Sequence, residues 1–215
     1  MAGREERHET LARSVLLEQL AAPSRLTELS GVGAVARHTT AAALVRHAQL
    51  EGETTVWVQP VGGPLYPPDV AESGVDLDAL IVVQVPTEHG EVGLARAAEL
   101  LLRSGAFGLC VVDLSAPPTW QVPKGMSEKP SPRLRGEVWQ ARLAALARMH
   151  ASRVVVLTRA ASGRDSLGPM VGLRVEPRRV RQAPGIFEVQ PEILKQKGTP
   201  LEGAPALRRG PWGLG

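Results

Sequence analysis

A chain of 215 residues with 43% hydrophobic content has enough apolar side chains for one hydrophobic core, so wholesale disorder is excluded. Aromatic residues make up only 3% and there is one cysteine, Cys110, which leaves a core of Val, Leu and Ala and excludes a stacked-aromatic binding platform, an internal disulfide and a cysteine-based zinc site. The net charge of +3 hides a split, because residues 1–132 carry 10 Lys/Arg against 16 Asp/Glu while residues 133–215 carry 15 against 6, a pattern that fits an anionic partner or complementary faces between copies.

The chain opens on MAGREERHE, a charged stretch without the apolar segment of a secretion signal, and no run approaches the ~20 apolar residues of a membrane span. The expected location is the cytoplasm, and Cys110 in its apolar strand reads as a small hydrophobe in a reducing compartment. Residues 4–21 have helical spacing, with Leu11, Val15, Leu16 and Leu20 near one face and Pro23 just beyond. A short strand at 25–29 feeds a glycine-containing turn, and an alanine-rich helix at 39–50 stops at Gly52. Strands are expected at 54–59, 80–85 and 109–113. A Pro- and Gly-rich loop and a short helical turn separate the first two; a helix at 87–104, packing Val92, Leu94, Ala95, Ala98, Leu101 and Leu102 and ended by Gly105, separates the last two. Short Val/Ile/Leu-rich strands spaced by helices predict an α/β fold with a mainly parallel central sheet covered on both faces.

The turn after the first strand has the frame of a phosphate loop without its chemistry. Such a loop presents backbone N–H groups to phosphate oxygens at a helix N-terminus, with a lysine for charge and a Ser/Thr hydroxyl for Mg²⁺. Gly31 stands at the first glycine, but Ala36, Arg37 and His38 occupy the glycine, lysine and hydroxyl positions. Arg37 keeps the charge in a planar fork of different geometry, and Thr39 follows one residue late, about 100° further round a helix. Asp113 closes an apolar strand where a metal-orienting carboxylate would sit, and a solvated or capping aspartate is the alternative. After the 54–59 strand, where a water-activating carboxylate would be needed, the chain reads Gln59, Pro60, Val61, Gly62, Gly63 and Pro64. With lysine, hydroxyl and base all missing, a pseudo-ATPase with no cofactor is expected rather than an enzyme.

Residues 117–132 hold five prolines and read as a linker. A helix at 133–150 is expected to turn Val138, Leu143, Leu146 and Ala147 inward, followed by a buried strand at 153–158 and a polar loop at 160–166. Four short strands at 171–175, 178–181, 186–189 and 192–197 lean toward an antiparallel extension, and Arg174, Arg178, Arg179 and Arg181 on them are candidate DNA contacts. The division is thus an N-terminal helix (1–24), a core (25–197) and a flexible basic tail (198–215) with Arg208, Arg209 and Trp212.

Residues 74–113 resemble the RecA recombinase core. They share its GVD at 74–76, its helix ending in Arg103, Ser104, Gly105 and Ala106, and its strand ending in VVD at 111–113. The Lys195, Gln196, Lys197 run is similar to the paired lysines that reach a neighbouring subunit's nucleotide in that family. The resemblance spans about residues 25–200 and implies a RecA-like core with a degenerate phosphate loop. Gly31, Arg37, Thr39, Asp113, Lys195 and Lys197 would form a vestigial nucleotide site. The family's sensing amide is replaced by Thr158 or Arg159, and its DNA-binding loop shrinks to about 160–165. A short RecA-like chain without the active-site residues is similar to the ImuA family of bacterial mutagenesis cassettes. That implies an adaptor in damage-induced translesion synthesis, with the RecA recombinase, an inactive Y-family polymerase homologue and an error-prone replicative-type polymerase as partners. DNA and a second copy are further possible partners. The helix bearing Leu11, Val15, Leu16 and Leu20 is then the expected docking surface, unless it folds back on its own domain. A DNA-binding protein acting through the basic half and a weak nucleotide-dependent ATPase are the alternative readings.

Overall fold

The computed structural model describes residues 16–115, 136–184 and 186–198, together with the backbone of 207–209. Its elements in chain order are β1 (Leu26–Leu29), α1 (Arg37–Leu50), β2 (Thr55–Pro60), α2 (Pro67–Glu72), β3 (Leu80–Val85), α3 (Gly90–Arg103), β4 (Leu109–Asp113), α4 (Gly136–Met149), β5 (Arg153–Leu157), β6 (Leu173–Ala183), β7 (Ile186–Gln196) and β8 (Leu207–Arg209). They form one eight-stranded sheet in the order β3-β2-β4-β5-β1-β6-β7-β8. The pairs from β3 to β6 are parallel, and β7 and β8 add antiparallel strands beside β6.

The two-residue period of a strand divides the core into two layers. Trp57, Leu109, Val111, Val155 and Leu157 face α1, whereas Val56, Val58, Cys110, Val112, Val154 and Val156 face the side covered by α3 and α4. Both faces of the central strands are therefore apolar, as a parallel sheet under helices requires. Cys110 is fully buried, and desolvation pushes its thiol up to about 12, so it packs as a hydrophobe. Gly105 ends α3 with a φ of +68°, where a Cβ would lie 2.8 Å from Nδ1 of His150; glycine alone takes this turn without strain.

Several expectations change. The strand expected to break at Pro177 and Pro191 does not, because these residues sit opposite each other in the β6–β7 register. The carbonyl of Pro177 points away from β7, toward the N–H of Ala36 at 2.9 Å, so the N–H that proline lacks would also have pointed away from β7 and no ladder bond is lost. The four short strands are two long ones. In α4, Val138 is exposed while Trp139 and Gln140 are buried, a phase shift that follows from the Gln140 amide donating to the carbonyl of Leu167 at 2.8 Å. Residues 207–209 of the expected flexible tail form β8; the 117–132 linker and the rest of the tail lie outside the described residues.

A further change concerns the proposed docking helix. Leu11 and Val15 lie outside the described residues, but residues 16–20 are helical, and Leu16 and Leu20 are each 0% exposed within the core layer under α1. The carbonyl of Leu20 accepts from Thr27 Oγ1 at 2.9 Å, and the N–H of Ser24 donates to the carbonyl of Ser152 at 3.0 Å, so this segment is fixed to its own sheet. Leu16 and Leu20 are core residues rather than an exposed docking face. Leu20→Ala is expected to cost about 2–5 kcal/mol of unfolding free energy, read as a lowered urea midpoint, whereas a docking residue would leave the midpoint unchanged.

Candidate functional site

In open α/β sheets the carboxyl ends of the parallel strands form the ordinary ligand crevice. Here the turn after β1, the N-terminus of α1 and the end of β4 meet at that edge. Gly31 has a φ of +145°, and a Cβ on it would fall 2.8 Å from both γ-carbons of Val35, so the turn is built for glycine. The amides that would face an anion are partly engaged elsewhere: Ser30 donates to the carbonyl of Val175 at 2.9 Å and Ala36 to that of Pro177. Arg37 does not extend outward as a phosphate-binding lysine would. Its Nη1 donates to the carbonyl of Gly31 at 2.8 Å, so the buried guanidinium folds across the turn. Desolvation lowers its pKa, and Asp113 acts in the opposite direction.

Asp113 is 0% exposed, which removes the solvated-carboxylate reading. One of its oxygens, Oδ1, accepts from the backbone N–H of Ser115 at 2.8 Å and from the Ser115 hydroxyl at 2.5 Å; the other, Oδ2, meets Nε2 of His38 at 3.0 Å. The His38 ring stacks on Trp57 with centroids 6.4 Å apart. In a working phosphate loop the hydroxyl at this helix position and the strand-end aspartate both hold the metal. Here the residue at the hydroxyl position contacts the aspartate directly. The constellation of Ser, His and Asp is not a hydrolytic triad either, because Asp113 and Ser115 both approach the same imidazole nitrogen, at 3.0 and 3.3 Å, and the serine proton is directed to the carboxylate. A triad places them on opposite ring nitrogens.

Thr39, in the first turn of α1, lines a cavity of about 290 Å³ together with His38, Trp57, Tyr66, Arg179 and Phe187. The structure therefore brings Gly31, Arg37, Thr39 and Asp113 to one edge, but Lys195 and Lys197 belong to a different cluster. Lys195 Nζ donates to Ser166 Oγ at 2.7 Å and to the carbonyl of Gly168 at 2.9 Å, and Lys197 Nζ bonds the carbonyl of Pro169. Desolvation and then the neighbouring Lys197 lower the pKa of Lys195.

The centre of that second cluster is Glu28, which composition and spacing did not single out. It is 0% exposed in mid-β1 and accepts from Thr158 Oγ1 at 2.7 Å and from the backbone N–H of Leu167 at 2.8 Å, with Arg174 Nε at 3.8 Å. The signal for it was present: a carboxylate within the otherwise burial-prone LTEL strand demands partners. Arg174, expected to contact DNA, is 2% exposed and donates to Ser30 Oγ at 2.9 Å and to the carbonyls of Ala161, Ala160 and Arg164. It holds the 160–170 loop and is not a free surface cation. Arg178 pairs with Glu192 at 2.5 Å, Arg179 lies 4.3 Å over the Phe187 ring, and Arg181 is exposed.

These features define an α/β protein of RecA-like fold in which the turn between β1 and α1 is occupied by the chain's own side chains. Among solved structures it is similar to the crystal structure of the RadB recombinase, with 18% sequence identity, a TM-score of 0.60 and coverage of 86% of this chain and 88% of that one. No protein-family model matches the chain. No curated protein matches it.

His38→Ala is expected to destabilise the protein by about 1–3 kcal/mol by leaving one oxygen of a buried carboxylate without its donor. Addition of Asp113→Asn should recover part of that loss. Urea unfolding of the single and double variants measures both; an additive pair would mean that the two side chains do not interact.

Proposed function

We propose that this protein is a RecA-fold adaptor that performs no nucleotide hydrolysis of its own and acts in damage-induced translesion synthesis by docking on other proteins. The observation that carries the first part is the direct His38–Asp113 contact at 3.0 Å, reinforced by Arg37 bonding the carbonyl of Gly31. A Mg²⁺–nucleotide complex needs an open space between the helix hydroxyl and the strand-end carboxylate, amides turned toward it and a base for water. This chain has an imidazole in that space, two of the flanking amides engaged by β6 and an amide side chain, Gln59, at the end of β2, whose Oε1 accepts from the N–H of Leu65 at 3.2 Å. The second part rests on the ImuA-like combination of a RecA-type frame with these replacements; the RecA recombinase, the inactive Y-family polymerase homologue and the error-prone replicative-type polymerase are the partners it implies.

Direct DNA binding by the basic half has weaker support, since Arg174 is buried and Arg178 is ion-paired. Purified protein is expected to show no ATP turnover above a mock preparation, with no change in the Asp113→Asn variant. Turnover abolished by that substitution would restore the weak-ATPase reading. For the adaptor role, substoichiometric protein is expected to slow ATP hydrolysis and strand exchange by the RecA recombinase. Inhibition that requires near-stoichiometric protein, falls steeply with salt and is relieved by Arg179→Glu and Arg181→Glu would instead mark competition for DNA; no inhibition at any ratio leaves docking on the polymerase subunits, measured by pull-down, as the remaining form of the proposal.

A further inference from the structure

The two sides of the sheet carry one patch each of opposite charge. On the α3/α4 side, Arg96 and Arg103 from α3 and Arg142 from α4 converge on one carboxylate, Glu99, whose side chain is 5% exposed, at 3.5, 2.6 and 3.4 Å. One buried acid thus orders three half-exposed guanidinium groups around a cleft of about 440 Å³ and leaves an excess of two positive charges, while exposed Arg148, further along α4 and outside the cleft lining, adds a third to that side. Exposed Leu100, Val138 and Met149 lie on the same two helices, with Leu100 between Arg96 and Arg103 and Val138 one turn before Arg142. On the opposite side, where Val70 of α2 packs into the α1 layer, Asp69, Glu72, Asp76 and Asp78 are all exposed, and none pairs with a described basic residue within 4.0 Å; exposed Arg46 of α1 lies beside Gly74 among them and leaves an excess of three negative charges. Exposed Tyr66 and Leu77 flank these carboxylates.

We infer that the arginine-ringed α3/α4 cleft docks the acidic 66–78 segment of a second copy of this chain. The two patches match in charge and each carries apolar side chains that a joined interface would cover. Because they lie on opposite sides of one sheet, the contact is heterologous and each copy can both give and receive it. The three guanidinium groups are held in position before docking, so little side-chain entropy is lost on association. Exposed pairs of this kind are screened, and the assembly is strongest at low ionic strength.

The test uses the full-length protein in sedimentation and light scattering at low and high salt. At low salt the apparent mass is expected to rise with concentration to at least twice the 22.9 kDa monomer, with association weakened roughly tenfold or more at about 0.5 M salt, where the Debye length falls to a few ångströms. Arg142→Glu/Arg148→Glu, which leaves Arg96 and Arg103 on Glu99, and Asp76→Lys/Asp78→Lys should each be monomeric, because each then carries two patches of one sign. Mixed one to one, they should associate again, since the intact acidic patch of the first meets the intact basic patch of the second. Circular dichroism checks that both variants are folded, and Glu72→Lys serves as a milder second variant of the acidic patch. A monomeric wild type at every concentration, or assembly that survives either reversal, or variants that stay monomeric when mixed, would overturn the inference.

Discussion

Two carboxylates without solvent contact, Glu28 in β1 and Asp113 at the end of β4, constrain the functional edge of this protein. A buried ionised group without partners costs several kcal/mol, so the chain around each must supply donors or the fold fails there. Asp113 draws His38 from the first turn of α1 and Ser115 from the chain beyond β4. Glu28 draws Thr158 and the amide of Leu167, and Arg174 closes the same network by gathering three loop carbonyls. The turn after β1 and the 160–170 loop are therefore shaped by the need to satisfy acids inside the sheet.

That requirement accounts for the inward course of the side chains at the turn between β1 and α1. A glycine with φ near +145° and a helix starting at Arg37 are the geometric remains, while the charges that would meet a nucleotide are turned inward. Arg37 bonds the turn that it would have projected from, and His38 bonds the carboxylate that it would have shared a metal with. The two contacts satisfy both groups within the chain: the guanidinium of Arg37 has a carbonyl acceptor and the carboxylate of Asp113 has the imidazole of His38. The same logic applies to Lys195 and Lys197, whose ammonium groups hold Ser166, Gly168 and Pro169 of their own chain.

The basic half is likewise less available than its count of arginines suggests. Arg153 is turned toward Glu51 and Glu53, Arg174 toward loop carbonyls, and Arg178 toward Glu192. Of the cations that remain outward, Arg96, Arg103, Arg142 and Arg148 lie on α3 and α4, while Asp69, Glu72, Asp76 and Asp78 are exposed around α2 on the other side of the sheet.

Local properties were readable from the chain. The Val-rich runs at 80–85 and 109–113, the alanine-rich helix before Gly52 and the loss of lysine, hydroxyl and base each depend on neighbours a few residues away, and the strands and helices they predict are present in the sheet. Pro177 and Pro191 misled because the harm of a proline in a strand depends on which way its absent N–H would point, and only the pairing of β6 with β7 decides that. Leu16 and Leu20 showed an amphipathic face, but a face does not say whether it meets its own domain or another. The partners of Asp113 and Glu28 lie 75 and 130 residues away in His38 and Thr158, so spacing along the chain carried no sign of them. The sequence determined an α/β RecA-like frame with Arg37 and His38 where a phosphate loop carries lysine and hydroxyl; tertiary structure alone decided which side chains those residues meet, because a buried charge selects its partners by distance in space.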